Sequence, residues 1–150
     1  MAKQQPEYEL QKAVCTFLNL QFGHVLYLSD TIASLKLTEP QKRRNKSIQK
    51  TGFHCPDILI LHPNKTYKGL FIELKVVTPF KLNGEIKASK DDHLLKQWQS
   101  IQDLNRIGYC AFFSWGIDNT IKLIKSYMVD GLVLNQPTTR NQDVTKENKK

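Results

Sequence analysis

Three stretches of the chain carry apolar residues at spacings of three and four positions, the period of a helix with one buried face. They cover residues 7–22, 91–107 and 118–129. Pro6 suits the start of the first stretch, and Gly23 and Gly108 suit the ends of the first and second. The pattern therefore predicts three helices that each pack one face against a core.

Continuous apolar runs alternate with these helices, as expected for strands that are buried on both faces. The runs are residues 57–61, 69–77 and 109–113, and residues 24–28 form a shorter candidate. Turn-forming residues separate the first two runs, so we expect these to form an antiparallel hairpin. The order of the elements predicts an α/β fold, with a central mixed β-sheet flanked by helices.

Three further segments lack apolar periodicity. Residues 36–50 are strongly basic and are predicted to be a loop, with Lys42, Arg43, Arg44, Lys46 and Lys50 opposed only by Glu39. Residues 79–90 are predicted to form a polar loop. The polar residues 135–150 are predicted to be a disordered tail that follows one domain over residues 1–134.

The charge balance bears on the kind of partner. Lys and Arg number 22 against 14 Asp and Glu, which gives a formal net charge of +8. This balance favours a polyanionic partner, because each neutralised phosphate releases condensed counterions. The alternative is a basic protein that its charge merely keeps soluble. Composition leaves both interpretations open.

The cysteines and histidines argue against a zinc protein. The three cysteines, Cys15, Cys55 and Cys110, form no CxxC pair, and Cys15 and Cys110 lie among apolar residues. Cys55 with His54, His62 and His93 matches no known ligand spacing. A reducing compartment fits best. The sequence also has no apolar signal region and no apolar run of about 20 residues, so a cytoplasmic location is expected.

Two charged residues interrupt the apolar run at 69–77. Glu73 and Lys75 are two positions apart, so on a strand both side chains point to the same face. Charges are costly in a buried strand unless they are paired or bind a ligand. Asp57 begins the preceding strand, and the hairpin would bring it beside Glu73. Two carboxylates beside an ammonium suit a Mg²⁺ ion and a phosphate, whereas the alternative is a simple Glu73–Lys75 ion pair at a sheet edge.

In this region the sequence resembles the PD-(D/E)XK nucleases. Pro56-Asp57, a gap of 15 residues and then Glu73-Leu74-Lys75 match that motif. More of the chain resembles one branch, the VRR-NUC family, which has a Glu followed by Leu-Gln on its first helix and a Gln on the helix after the ExK strand. These residues are Glu7, Leu10-Gln11 and Gln97. The resemblance covers about residues 7–129, and it departs at the turn Gly52-Phe53-His54-Cys55.

The resemblance implies a restriction-endonuclease-like core and a DNA endonuclease that depends on Mg²⁺ or Mn²⁺. Asp57, Glu73 and the main-chain carbonyl of Leu74 would bind the metal. Glu7 would reach the metal through water, with Glu9 as second choice, and Gln97 would orient Lys75 or the scissile phosphate. Without the resemblance, Glu7 is better explained as a carboxylate that stabilises its helix dipole, and Gln97 as an exposed helix glutamine.

The resemblance also bears on the substrate. Stand-alone members, mostly from phages and bacteria, are similar to dimeric junction-resolving enzymes. This implies a homodimer, in a bacterium or a phage-infected host cell, that cuts branched DNA such as four-way (Holliday) junctions.

The basic segment, with Lys81, Lys87 and Lys90, would bind phosphates. Part of the dimer interface is expected from the last helix and residues 129–134, unless these pack on the sheet. The alternatives are a restriction-type or structure-indifferent nuclease, or a non-catalytic DNA-binding module, which the retained Asp57, Glu73 and Lys75 disfavour.

Overall fold

The computed structural model describes residues 6–29, 36–87 and 92–130. The helices found there are α1 (Pro6–Gln21), α2 (Glu39–Ile48), α3 (Asp92–Arg106) and α4 (Ile117–Met128), and the strands are β1 (Tyr27–Ser29), β2 (Ile58–Ile60), β3 (Leu70–Lys75) and β4 (Cys110–Trp115). None of these helices has the length and hydropathy needed to span a membrane. The predicted tail at 135–150 and Lys90 lie outside the described residues.

The strands form one mixed sheet in the order β1-β2-β3-β4. The pairs β1–β2 and β2–β3 are antiparallel, and β3–β4 is parallel. Parallel strands need a long crossover, and α3 lies in that connection. The predicted mixed sheet and the predicted hairpin of β2 and β3 are both confirmed.

Helices cover both faces of the sheet. On one face α1 and α4 pack their buried side chains, such as Leu18 and Tyr127, against Ile58 and Ile72. The alternate residues of the strands point the other way, and α3 covers them. That second core contains Phe71, Phe80, Ile101, Leu104, Ala111 and Phe113. The fold is the predicted α/β sandwich, and it is consistent with a restriction-endonuclease-like core.

The prediction of a loop over residues 36–50 is wrong, because residues 39–48 form α2. Thr38 caps the helix: its Oγ1 accepts a hydrogen bond from the Gln41 main-chain N–H, and the Gln41 side chain accepts one from the Thr38 N–H. Pro40 in the first turn and many Lys and Arg also favour a helix. No residue of α2 is buried. The apolar period that normally predicts a helix is therefore missing.

Candidate active site

The register of the β2–β3 hairpin brings the two predicted carboxylates together. Ile58 pairs with Ile72, so one step further along the same antiparallel register Asp57 faces Glu73. The Asp57 Oδ2 accepts a hydrogen bond of 2.7 Å from the Leu74 main-chain N–H. This bond fixes the carboxylate of Asp57 against β3, next to Glu73. The carbonyl of Leu74, the third expected oxygen donor, belongs to the same short stretch of main chain.

Lys75 and Gln97 surround the Glu73 carboxylate. The Glu73 Oε1 accepts a hydrogen bond from Lys75 Nζ at 3.1 Å and another from Gln97 Nε2. Lys75 Nζ also lies 5.8 Å from the centre of the Phe113 ring. The strand that carries this pair lies between β2 and β4 and is no sheet edge. The Glu73–Lys75 ion pair is therefore present, but the interpretation that places it at a sheet edge is wrong.

Gln97 is part of the site because α3 packs across this face of the sheet. Its side chain is only 8% exposed. Its Nε2 is bound to Glu73, while its Oε1 is buried without a hydrogen-bond partner among the described residues. An unsatisfied buried acceptor costs about 1–3 kcal/mol. Gln97 is thus no plain exposed helix glutamine, and it keeps one acceptor available beside Glu73.

Burial and the neighbouring charges give Glu73 an unusual pKa. Its side chain is almost fully buried, at 4% exposure. Burial is the largest cause that raises the pKa of Glu73 from 4.5 to about 7, and the negative charges of Asp57 and Glu7 act in the same direction, against the lowering effect of Lys75. The desolvation and the repulsion between carboxylates therefore outweigh the one nearby ammonium. The centre holds more negative charge than its own cation can neutralise.

The first helix contributes two residues near this centre. Glu7 is exposed in the first turn of α1, and its charge reaches Glu73, whereas Glu9 is not among the groups that raise that pKa. Gln11 lies one turn further along and donates hydrogen bonds to Ser29 Oγ at 2.7 Å and to the Asp57 carbonyl at 3.5 Å. It ties α1 to β1 and to the start of β2. Gln11 is one of the residues that carry the resemblance noted in the sequence, but its role could not be predicted from the residues alone.

A cavity of about 490 Å³ opens beside the carboxylates. Its lining comprises residues 49–55 with Lys46, Asp57, Glu73, His93 and Gln97. Of the five basic residues predicted to bind DNA, Lys46 and Lys50 line this cavity, and Lys42, Arg43 and Arg44 lie on the rest of α2. The turn of residues 52–55, where the sequence differs from the family, is hydrogen-bonded to α3: the His54 N–H donates to Ser100 Oγ at 2.8 Å.

The histidines considered for zinc are divided between two places. The rings of His54 and His93 meet edge to face at 5.2 Å on the cavity wall, but His62 packs instead against His24, at 6.2 Å. Across residues 6–29, 36–87 and 92–130, no three His, Cys, Asp or Glu side chains converge as a ready metal cluster. Glu7 therefore does not join Asp57 and Glu73 as a direct neighbour.

The raised pKa of Glu73 predicts how stability changes with pH when no divalent cation is present. The folded chain binds this proton more tightly than the unfolded chain, so the stabilisation is fully present below about pH 4.5 and is lost as pH rises through about 7. The loss is at most roughly 3 kcal/mol. Glu73→Gln should therefore lose less stability than wild type between about pH 5 and pH 8 in urea unfolding, whereas the exposed Glu9→Gln should follow wild type. Parallel curves for wild type and Glu73→Gln would contradict the assigned environment.

Comparison with solved structures identifies a similar protein. A chain described as a "VRR_NUC domain protein" is 25% identical, with a TM-score of 0.56, and the match covers 90% of this chain and 99% of that one. No family model matches the sequence, and no curated protein matches it. The similarity therefore extends over almost the whole of both chains.

Proposed function

Because the chain belongs to the VRR-NUC family of nucleases, we propose that it is a DNA endonuclease that uses Mg²⁺ or Mn²⁺ to hydrolyse phosphodiester bonds. The observation that carries the proposal is the position of Asp57, directly before β2, against Glu73 of β3, with Lys75 bound to Glu73. A carboxylate pair, an ammonium and an open cavity are the parts that metal-assisted phosphodiester hydrolysis requires.

The chemistry of the donors suits a hard divalent cation. Asp57 and Glu73 would hold the ion with the Leu74 carbonyl, and all three offer oxygen, which Mg²⁺ prefers. Burial, followed by the negative charges of Asp57 and Glu7, raises the pKa of Glu73, and a bound cation would relieve the repulsion between these carboxylates. When bound, the ion would polarise the phosphate and make a water molecule more acidic. Glu7 would act at longer range, through water.

The remaining residues would bind and orient the reacting groups. The Lys75 ammonium would donate to the scissile phosphate or to the attacking water, and would offset the charge that the phosphate gains. Gln97 would hold Glu73 through its Nε2 and accept a hydrogen bond from Lys75 or from the water through its Oε1. Lys46 and Lys50, on the cavity wall, would bind phosphates that flank the cut.

We infer that the substrate is branched DNA, such as a four-way junction, cut by a homodimer. The described residues hold one such centre in each chain, and paired cuts in two strands related by two-fold symmetry need two copies. α4 is a poor source for the interface, because Ile124 and Tyr127 are buried in the core and its partly buried apolar residues pack there as well. Val129 is 76% exposed, and residues 131–134 lie outside the described part of the chain.

A substrate panel tests this proposal. Linear, nicked, flap and four-way DNA of matched length should be incubated with the purified chain and Mg²⁺ or Mn²⁺, and sedimentation should give its oligomeric state. We expect paired cuts in the four-way junction by a dimer, with slower cleavage of the linear duplex. Equal cleavage of all four would favour the structure-indifferent nuclease, and cutting of linear duplex alone would favour a restriction-type enzyme. Binding without any cleavage would favour the non-catalytic module.

The basic face of α2 should contribute affinity and little chemistry. Changing Lys42, Arg43, Arg44 and Lys46 together to alanine should weaken DNA binding and flatten its salt dependence, because the logarithmic slope falls by about 0.9 for each phosphate that is no longer neutralised. No residue of α2 is buried, so the fold should persist. Fluorescence anisotropy at several salt concentrations measures the slope. Lys12→Ala with Lys122→Ala is the control, and an unchanged slope in the fourfold variant would show that α2 points away from DNA.

A further inference from the structure

The predicted polar loop after β3 contains an ordered hairpin of residues 79–87. Phe80 and Ile86 form an antiparallel bridge, and the Lys81 N–H donates to the Glu85 carbonyl at 2.7 Å. The Gly84 N–H donates to the Lys81 carbonyl at 3.0 Å, and Gly84 has a φ of +84°. This is the pattern of a three-residue loop closed by a glycine in the left-handed region. The backbone at the tip, residues 82–84, is therefore held in one shape.

The base of the hairpin is fixed beside the candidate active site. Phe80 is 8% exposed and packs against the rings of Trp98, Phe113 and Trp115. The Phe80 and Phe113 ring centres are 5.9 Å apart, and Lys75 Nζ lies 5.8 Å from the centre of the same Phe113 ring. The hairpin and the Lys75 ammonium thus both contact the Phe113 ring. The position of the tip relative to the centre is set by packing.

The tip presents an apolar side chain to solvent. Leu82 is fully exposed, and Val76 and Val77, between β3 and the hairpin, are 47% and 70% exposed. Lys81 and Lys87 flank the tip, and both are ordered: Lys81 pairs with Glu85 at 3.2 Å, and Lys87 Nζ donates to the Thr78 carbonyl at 3.0 Å. The hydrogen-bonded backbone of the hairpin thus holds Leu82 at the surface.

We propose that Leu82 is a wedge that inserts between two bases of the DNA substrate, while Lys81 and Lys87 lie near the adjoining phosphates. This inference rests on the proposed nuclease function. A base step offers apolar faces bordered by phosphates, which matches a leucine bordered by lysines. Apolar wedges partly unstack the step that they enter, and unstacking costs least where stacking is already interrupted. Leu82 therefore selects branched or nicked DNA over continuous duplex.

Base unstacking can be measured without cleavage. Wild type is mixed, in EDTA, with four-way DNA that carries 2-aminopurine at the branch point, and with linear DNA that carries it centrally. We expect a saturable rise in fluorescence on the branched DNA and a smaller rise on the linear DNA. Leu82→Ala should lose the rise on branched DNA. The ratio of kcat/KM on branched DNA to kcat/KM on linear DNA should also fall by about tenfold. This is the fold-change expected when the free energy of burying one leucine side chain is lost.

The controls separate the wedge from the proposed function. Leu20→Ala, which changes another exposed leucine on α1, should behave as wild type. If wild type binds by anisotropy but gives no fluorescence rise, or if Leu82→Ala keeps the full rise, the wedge is wrong and the nuclease proposal stands. If wild type binds no DNA, the nuclease proposal itself fails. If Leu82→Ala only converts a dimer to a monomer and keeps the rise, the tip is a contact between copies and the wedge is again wrong.

Discussion

Lys75→Ala is expected to reduce turnover by about 10²–10⁴-fold, the usual loss when a positioned proton donor or charge-stabilising group is removed. The ammonium is the one cation hydrogen-bonded to Glu73 among the described residues, at 3.1 Å, so no neighbour replaces it. Folding should persist, because β3 keeps its register and Phe113 keeps its other ring contacts. Single-turnover cleavage of labelled DNA measures the loss.

A matched pair of variants makes the role of Lys75 specific. Lys75→Arg should rescue poorly, because a planar guanidinium differs from a compact ammonium in shape and cannot be deprotonated. Lys122→Ala removes a lysine of α4 that lies outside the site and should leave turnover unchanged. DNA affinity of Lys75→Ala in EDTA should stay close to wild type. Near-normal turnover of Lys75→Ala would show that the ammonium has no part in the reaction.

Asp57→Asn should remove both the binding of Mn²⁺ and the cleavage of DNA. Asparagine can still accept the hydrogen bond from the Leu74 N–H, so the start of β2 should keep its place. One of the two close negative charges is removed, however, and the pKa of Glu73 should fall because its main repelling neighbour is gone. Turnover should fall by at least about 10²-fold.

Calorimetric titration with Mn²⁺ measures the loss of metal binding directly. Wild type should bind Mn²⁺ and gain thermal stability from it, because a ligand that binds only the folded state shifts unfolding. Asp57→Asn should show neither effect. Asp118→Asn, which changes a carboxylate in the first turn of α4, is the control. Equal Mn²⁺ affinity in Asp57→Asn and wild type would remove Asp57 from the proposed metal site.

The sequence predicted the elements that are built on burial. β2, β3 and β4 are continuous apolar runs, and α1, α3 and α4 have one apolar face, so their patterns follow from the core that they form. The two missed elements take their local shape from polar contacts, although Phe80 anchors the second of them in the core. α2 depends on the Thr38 cap and buries nothing, and the hairpin of residues 79–87 depends on Gly84 and on main-chain hydrogen bonds. α2 has no buried residue and the hairpin has too few apolar residues to form a period, so a hydrophobic period reveals neither of them.

The candidate site likewise contains contacts that the sequence predicted and contacts that it did not. The approach of Asp57 to Glu73 could be predicted, because a short hairpin determines which residues face each other. The burial of Gln97 could not, since it depends on how α3 lies across the sheet. The link from Gln11 to the Asp57 carbonyl likewise depends on the packing of α1. Contacts between elements that are distant in the sequence produce no repeating pattern of apolar residues, so a single sequence does not predict them.

Metal-dependent cleavage at Asp57 and Glu73 is tested most directly by incubating four-way and linear DNA with the purified chain before and after chelation. We expect cleavage with Mg²⁺ or Mn²⁺, no cleavage in EDTA and recovery when excess Mg²⁺ is returned. Asp57→Asn, prepared in the same way, should stay inactive throughout, which excludes a contaminating nuclease. Undiminished cleavage by wild type in EDTA would contradict a metal-dependent site at Asp57 and Glu73.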